Sequence, residues 1–178
     1  MTCVVVLSDD FGKVFFDGLA RITEETFSPL TVWQGHAKVR GSAAGLFITD
    51  RTSFRRIDIA PRILICVGEQ RHSLLPLAAS RSIVIVDSCE QSQLECVSET
   101  GLPAITCGLF RTDTITLSSS THDSAVISLQ RSIICHDGKI CEPQEIPVKL
   151  AQPVDNYLLM AAAAVFLLSG NGDKLKEI

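Results

Sequence analysis

"SIVIVDSCEQSQLECVSETGLPAITCG", Ser82 to Gly108, decides the fold class of this chain. It opens on a run of Val and Ile without polar alternation, as a strand covered on both faces requires. A polar stretch follows from Cys89 to Thr100, and its Leu94 and Val97 fall on one side of a helix. A second short apolar run, Pro103 to Gly108, reads as a strand again. Strand, helix, strand is the order of a mostly parallel α/β sheet.

The same texture extends upstream. "CVVVL" at 3–7 and "RILICVG" at 62–68 are further strands of the covered type. "GKVFFDGLARITEE", 12–25, is an amphipathic helix: Phe15, Leu19 and Ile22 share a face, and Lys13, Asp17, Arg21, Glu24 and Glu25 are polar. Asp9 or Asp10 is placed to cap its start. "HSLLPLAAS", 72–80, reads as a short helix interrupted by Pro76. Residues 31–61 are mixed: "GHAKVRGSAAG" is too rich in glycine for a helix, and "LFITD" at 46–50 fits a strand.

Downstream of residue 110 the pattern changes to antiparallel structure. "TDTITLSSS" and "SAVISLQRSIIC" read as strands and "HDG" at 136–138 as a turn. "EIPVKL" alternates Ile146, Val148 and Leu150 toward one face. An Ala-rich helix closes the chain, opened by Pro153 and Asp155 and stopped by "SGNG" at 169–172. The expected architecture is therefore α/β: a three-layer, mostly parallel sheet with a C-terminal antiparallel ribbon or edge and a closing Ala-rich helix, in one domain over 1–178.

Composition bounds the function. With 178 residues and 46% hydrophobic content the chain has the material for one large core. A net charge of −4 gives no global attraction for nucleic acid or anionic membranes. Seven cysteines without a CxxC pair, and a start "MTCVVVL" that lacks the basic region of an export signal, point to reduced thiols in the cytoplasm. The apolar "YLLMAAAAVFLL", 157–168, would extend about 18 Å as a helix against a hydrocarbon core of about 30 Å, so no membrane span is expected.

Behind the first strand stands "LSDDFGKVFFDGL", 7–19, with the Gly-Lys pair of a phosphate loop. Such a loop needs G-x-x-x-x-G-K-[ST], with glycines for backbone N–H groups, lysine for phosphate charge and a hydroxyl for Mg²⁺. Here only Gly12 and Lys13 remain; Leu7 stands for the first glycine and Val14 for the hydroxyl. Asp9 and Asp10 place negative charge where phosphate would approach the helix start. Gly12 and Lys13 are thus the candidate phosphate-binding residues, and the default reading is a capped strand-to-helix junction. Asp9, Asp10, Glu69, His72 and Asn156 are candidate ligand-proximal residues. Glu69 follows the strand at 62–68, with His72 three residues on, and ligand sites in parallel sheets gather at such ends.

Other clusters read as structure. "STHDS", 120–124, gathers hydroxyls with His122 and Asp123, but neighbours on extended backbone point to opposite sides, so a surface turn is expected. Cys135, His136 and Cys141, or Cys89 with Cys96, lack the paired spacing of a zinc site, so no metal is expected. The basic stretch "DRTSFRRIDIAPR" offers Arg51, Arg55, Arg56 and Arg62 for an RNA adaptor role. Asp50 and Asp58 flank it and no aromatic series follows, so a salt-bridged or solvated surface is expected and nucleic acid is not.

Two stretches, "IVIVDSCEQSQLECVSETGLPAITCGLFRTDTITLSSS" at 83–120 and "GKICEPQEIPVKLAQPVDNYLLMAAAAVFLLSG" at 138–170, resemble the late central domain of the Mur ligases and their folylpolyglutamate synthase relatives. The resemblance implies a strand with an end-of-strand Asp, a helix, a strand ending in Gly, an antiparallel ribbon and a closing helix. In the family it also implies ATP, Mg²⁺ and amide-bond formation assisted by neighbouring domains. The family's loop, Gly-Thr-x-Gly-Lys-Thr/Ser, would fall on Asp9, Asp10, Gly12, Lys13 and Val14, of which only Gly12 and Lys13 agree. Its His-Asn before the last helix would fall on Asp155 and Asn156, and its later Asn and Ala pair on Leu159, Ala162 and Ala163; Asn156 and the alanines agree.

The expectation is a noncatalytic scaffold, subunit or regulatory module with this fold, without catalytic residues or resident cofactor. Self-association is expected through the Ala-rich helix or the antiparallel edge. The alternatives are a protein that binds ATP, another nucleotide or a phosphometabolite through Gly12 and Lys13, and an RNA-binding adaptor.

Overall fold

Three of the apolar runs lie side by side. In the computed structural model, which describes residues 1–8, 12–39, 45–51, 57–70, 74, 81–176 and 178, strand β1 (Thr2–Leu7) is flanked by two others. It pairs in parallel with β4 (Leu46–Asp50) on one side and with β5 (Arg62–Cys66) on the other. All of β4 and β5, and β1 after Thr2, is buried, which is why these segments carry no polar alternation.

The chain divides into two compact units, Met1–Ala104 and Ile105–Ile178. The first adds β2 (Leu30–Trp33), β3 (His36–Val39) and β6 (Ser82–Asp87), giving the strand order β6-β5-β1-β4-β2-β3. All of these neighbours are parallel except the hairpin β2–β3. That hairpin turns at Gln34 and Gly35, both with positive φ (46° and 80°), the conformation that matches a two-residue turn to the twist of its strands.

Helix α1 (Gly12–Ile22) buries Phe15, Leu19 and Ile22 and exposes Lys13, Asp17 and Arg21, as the spacing predicts. It ends earlier than expected, at Thr23, whose hydroxyl donates to the carbonyls of Leu19 (2.8 Å) and Ala20 (3.2 Å). A single turn, α2 (Glu24–Phe27), follows and closes on Ser28 in the left-handed region. Helix α3 (Gln91–Thr100) stops at Gly101, also at positive φ. Its Leu94 and Val97 pack on one face of the sheet, with Cys3, Val5, Leu7, Leu64, Cys66, Val84 and Val86. The opposite face, with Val4, Val6, Ile63, Ile65 and Ile85, is equally buried, so the sheet is the middle of three layers. The helix expected at 72–80 lies outside the described residues except for Leu74, which is buried in the same core.

The second unit is the antiparallel part. β7 (Ala104–Cys107) leads into β8 (Ile115–Ser120), β9 (Ser124–Leu129) and, after a small hairpin of β10 (Ile133–Ile134) and β11 (Ile140–Cys141), β12 (Gln144–Lys149). The order is β12-β9-β8-β7, antiparallel from β8 to β12, and Ile146, Val148 and Leu150 face inward. The N–H of Lys149 donates to Lys176 (3.0 Å) and its carbonyl accepts from Ile178 (2.9 Å). Odd-numbered residues of β12 therefore turn their backbone away from β9. Pro147 shares that parity, so the open edge lacks a donor there, a device that discourages strand addition.

Helix α4 (Asn156–Leu168) begins at Asp155, whose carboxylate accepts from the N–H of Leu158 (2.9 Å). Every residue from Leu158 to Leu168 is buried, so the Ala-rich face expected to self-associate is covered by the chain itself. The antiparallel edge is what remains of that expectation. Among the described residues no helix is long and apolar enough to cross a membrane.

Candidate functional site

In open parallel sheets, ligands bind at the carboxyl ends of strands where the chain order reverses. In the first unit that place is the end of β1, with β4 and β2 on one side and β5 and β6 on the other. Gly12 opens α1 there and is buried. A Cβ on it would stand 2.4 Å from Ser8 Cβ and 3.1 Å from Trp33 Cη2, so glycine is needed for α1 to start this close to the end of β1. Trp33 in turn packs on Phe16, with ring centroids 4.8 Å apart. Lys13 Nζ donates to Asp17 Oδ1 (2.6 Å) across one turn on the exposed face, and Val14 is 80% exposed.

Glu69 is exposed just beyond β5. Asn156 is exposed at the first residue of α4, in the second unit, where Asp155 is the capping side chain. Asp9, Asp10 and His72 lie outside the described residues. Gly12 and Lys13 are thus adjacent at one helix start, with Glu69 on another loop of the same unit and Asn156 in the other unit.

Two residues that the sequence reading passed over organise the strand ends. Gln70 Nε2 donates to the carbonyls of Leu7 (3.0 Å) and Val67 (3.3 Å), bridging the seam between β1 and β5. Its backbone N–H donates to Ser92 Oγ of α3 (3.0 Å). Gln93 is fully buried; its Nε2 donates to the carbonyl of Gly68 (2.9 Å) and its Oε1 accepts from the N–H of Asp87 (2.8 Å). On the other side of β1, buried Asp50 at the end of β4 accepts from the N–H of Gln34 (3.3 Å). The strand ends of β1, β4, β5 and β6 are therefore tied to side chains of this chain. A signal for Gln93 existed in the sequence: it stands four residues before Val97, a polar group on the apolar stripe of α3.

Two thiols of this unit are buried in the sheet, Cys3 near the start of β1 and Cys66 at the end of β5. Burial pushes Cys66 up to about 12, with the nearby Cys96 thiol adding to the rise. Burial likewise pushes Cys3 up to about 11, against the lowering influence of the Arg62 guanidinium. Cys96 is raised by desolvation and then by Glu99 and Glu95. All seven cysteines are free, and the described residues hold no cluster of three metal-ligating side chains.

Arg62 departs from the surface role expected for the basic stretch. It is 4% exposed and donates through Nη2 to the carbonyls of Ile57 and Ile59, because it begins β5 and folds back over the segment before it. Arg55 and Arg56 lie outside the described residues. "STHDS" forms the expected exposed turn, in which Asp123 accepts from Thr121 Oγ1 (2.9 Å).

No protein-family profile matches the chain, and no curated protein matches it. Solved structures do. The UDP-N-acetylmuramate:L-alanyl-γ-D-glutamyl-meso-diaminopimelate ligase from Neisseria meningitides is similar with a TM-score of 0.62 at 13% identity, over 95% of this chain and 61% of that one. The MurF ligase from Thermotoga maritima in complex with ADP gives 0.55 at 12% identity, over 95% and 45%. E. coli FolC in complex with DHPP and ADP gives 0.57 at 11% identity, over 96% and 53%. The chain thus spans less than two thirds of each of these proteins. What it has in common with them is the fold: an α/β sheet, mostly parallel with antiparallel pairs at its C-terminal end, of the kind that Mur ligases share with FolC.

Proposed function

We propose that this chain is a noncatalytic scaffold, subunit or regulatory module that uses the ligase fold without the ligase's nucleotide chemistry. The observation that carries the reading is the closure of the strand ends by Gln70 and Gln93, which occupy carbonyls and an N–H in the crevice where a ligand of such a sheet would sit. The residues at the loop's place support it. Gly12 is explained by the approach of Ser8 and Trp33, and Lys13 is engaged by Asp17. Val14 supplies no hydroxyl for Mg²⁺. ATP with Mg²⁺ does not fit this set.

A module of this kind acts through its surface, on a second copy or another protein, in a cytoplasmic setting that suits seven free thiols. Calorimetric titration with ATP and ADP in the presence of Mg²⁺ tests the reading. No saturable heat is expected up to millimolar nucleotide, whereas micromolar binding lost in Lys13→Ala would replace it with a nucleotide-binding role. Light scattering across micromolar protein concentrations tests self-association separately; a monomer throughout removes that part.

A further inference from the structure

Two of the free thiols, Cys135 and Cys141, share the small hairpin of the second unit. Its strands pair Ile133 with Cys141 and Ile134 with Ile140, and the N–H of Cys135 donates to the carbonyl of Lys139 (2.8 Å), which extends the ladder by one step. Side chains alternate between the faces of such a ladder, so Ile133, Cys135 and Cys141 share one face and Ile134 and Ile140 the other. Exposure agrees: Ile133 and Cys135 are buried and Cys141 is half-buried, whereas Ile134 and Ile140 stay 67% and 62% exposed. Cys135 and Cys141 are therefore diagonal neighbours on the inner face of the hairpin.

Spacing decides what such a pair can do. Diagonal neighbours across an antiparallel pair have Cα atoms about 7–8 Å apart and Cβ atoms somewhat closer. A disulfide holds its Cβ atoms about 3.5–4.5 Å apart, so a direct S–S bond would pull this ladder out of register. An ion between the sulfurs removes the mismatch, because metal–thiolate bonds of about 2.3 Å let the two sulfurs stand up to about 4.6 Å apart. Among the described residues no third His, Cys, Asp or Glu joins the pair, which argues against zinc with its four ligands. A soft monovalent ion, satisfied by two thiolates, fits the donor set.

The surroundings suit a charged sulfur. Gln144 Nε2 donates to Cys141 Sγ (3.1 Å), a bond that strengthens when the sulfur is a thiolate. Burial holds the Cys135 thiol above its usual range, with Cys141 and Asp137 adding to the rise and Lys139 opposing it, so the proton stays until an ion displaces it. Cys135, Lys139 and Cys141 all line an open groove of about 920 Å³ beside β12, which gives an ion its path. We infer that Cys135 and Cys141 bind one Cu(I) ion between their sulfurs. Two S–H bonds break and two S–Cu bonds form; two protons pass to solvent and no electron moves. The inference concerns the second unit alone and does not depend on the nucleotide reading.

The test is anaerobic titration of the full, reduced chain with Cu(I) against bicinchoninate as competitor, with the bound ion counted by native mass spectrometry. One equivalent is expected to be held, more tightly as pH rises because protons are released, and Zn(II) is expected not to be retained. Losing an outer-shell partner of a metal costs about 10–100-fold in affinity, so Gln144→Leu at an exposed position should cost about tenfold, and Cys135→Ser or Cys141→Ser at least about a hundredfold. The circular dichroism spectrum should stay unchanged in all three, and Cys89→Ser, which removes an exposed thiol of the first unit, should leave binding intact. No retention against the competitor, indifference to Cys135→Ser and Cys141→Ser, or an equal loss in Cys89→Ser overturns the proposal. So does a Cys135–Cys141 disulfide formed in the folded chain by a mild oxidant, because the sulfurs would then be close enough to bond directly.

Discussion

The side-chain amide of Gln93 donates to the carbonyl of Gly68 at 2.9 Å from a fully buried position on α3. Its oxygen accepts from the N–H of Asp87, so one side chain satisfies a backbone group just beyond β5 and another at the last residue of β6. Removing it leaves the carbonyl of exposed Gly68 and the N–H of half-buried Asp87 to find water instead. Gln93→Leu is expected to cost about 1–3 kcal/mol, two part-buried hydrogen bonds at roughly 0.5–1.5 kcal/mol each. Urea unfolding followed by Trp33 fluorescence reads this in the first unit; a loss below about 1 kcal/mol would show the bonds to be dispensable.

Gly12→Ala is expected to destabilise by about 1–3 kcal/mol, because the new methyl meets Ser8 Cβ at 2.4 Å. Coupling is the sharper readout: Ser8→Gly in the same chain should recover a substantial part of the loss. Additive effects in the double-mutant cycle would mean that the two residues do not press on each other.

Lys13→Ala removes an exposed pair between residues four apart on α1. Stability is expected to change by no more than about 0.5 kcal/mol. A large drop in urea midpoint would show that Lys13 has a structural partner beyond Asp17.

Alkaline pH should destabilise the first unit through its buried thiols. In the unfolded chain these ionise near 9.0, but in the fold Cys3 holds its proton to about 11 and Cys66 to about 12. Between those limits the unfolded state carries fewer protons, so stability is full below pH 9 and falls as pH rises, by about 1.4 kcal/mol per unit for each thiol. Cys66→Val should flatten that slope in urea unfolding measured at successive pH values. An unchanged slope would place the titrating group elsewhere. By the same logic a thiol reagent at neutral pH should modify exposed Cys89 and spare Cys3 and Cys66.

The strands around β1 were legible because burial on both faces demands unbroken Val and Ile, and α1 because its apolar residues repeat with the helical period. The hairpin β2–β3 escaped: "LTVW" is only four residues long, and its turn depends on Gln34 accepting a positive φ, which its residue type does not advertise. The candidate site was legible as a place but not as a geometry. A glycine before a lysine looks the same whether it frees space for phosphate or lets Ser8 and Trp33 close in. Arg62 looked like part of a basic surface, since its burial depends on carbonyls that only the fold brings within reach. Gln70 was silent for the same reason, since the Leu7 carbonyl it meets lies 63 residues away, whereas Gln93 left a trace as a polar residue on the apolar stripe of α3.

The measurement closest to the central claim is an amide NMR titration of the labelled chain with ADP and Mg²⁺, watching the side-chain amides of Gln70 and Gln93 and the backbone of Gly12, Lys13 and Gly68. These resonances are expected to stay in place to millimolar ADP, in the natural sequence and in Lys13→Ala alike. Saturable shifts centred on Gly12 and Lys13 that vanish in Lys13→Ala would contradict it.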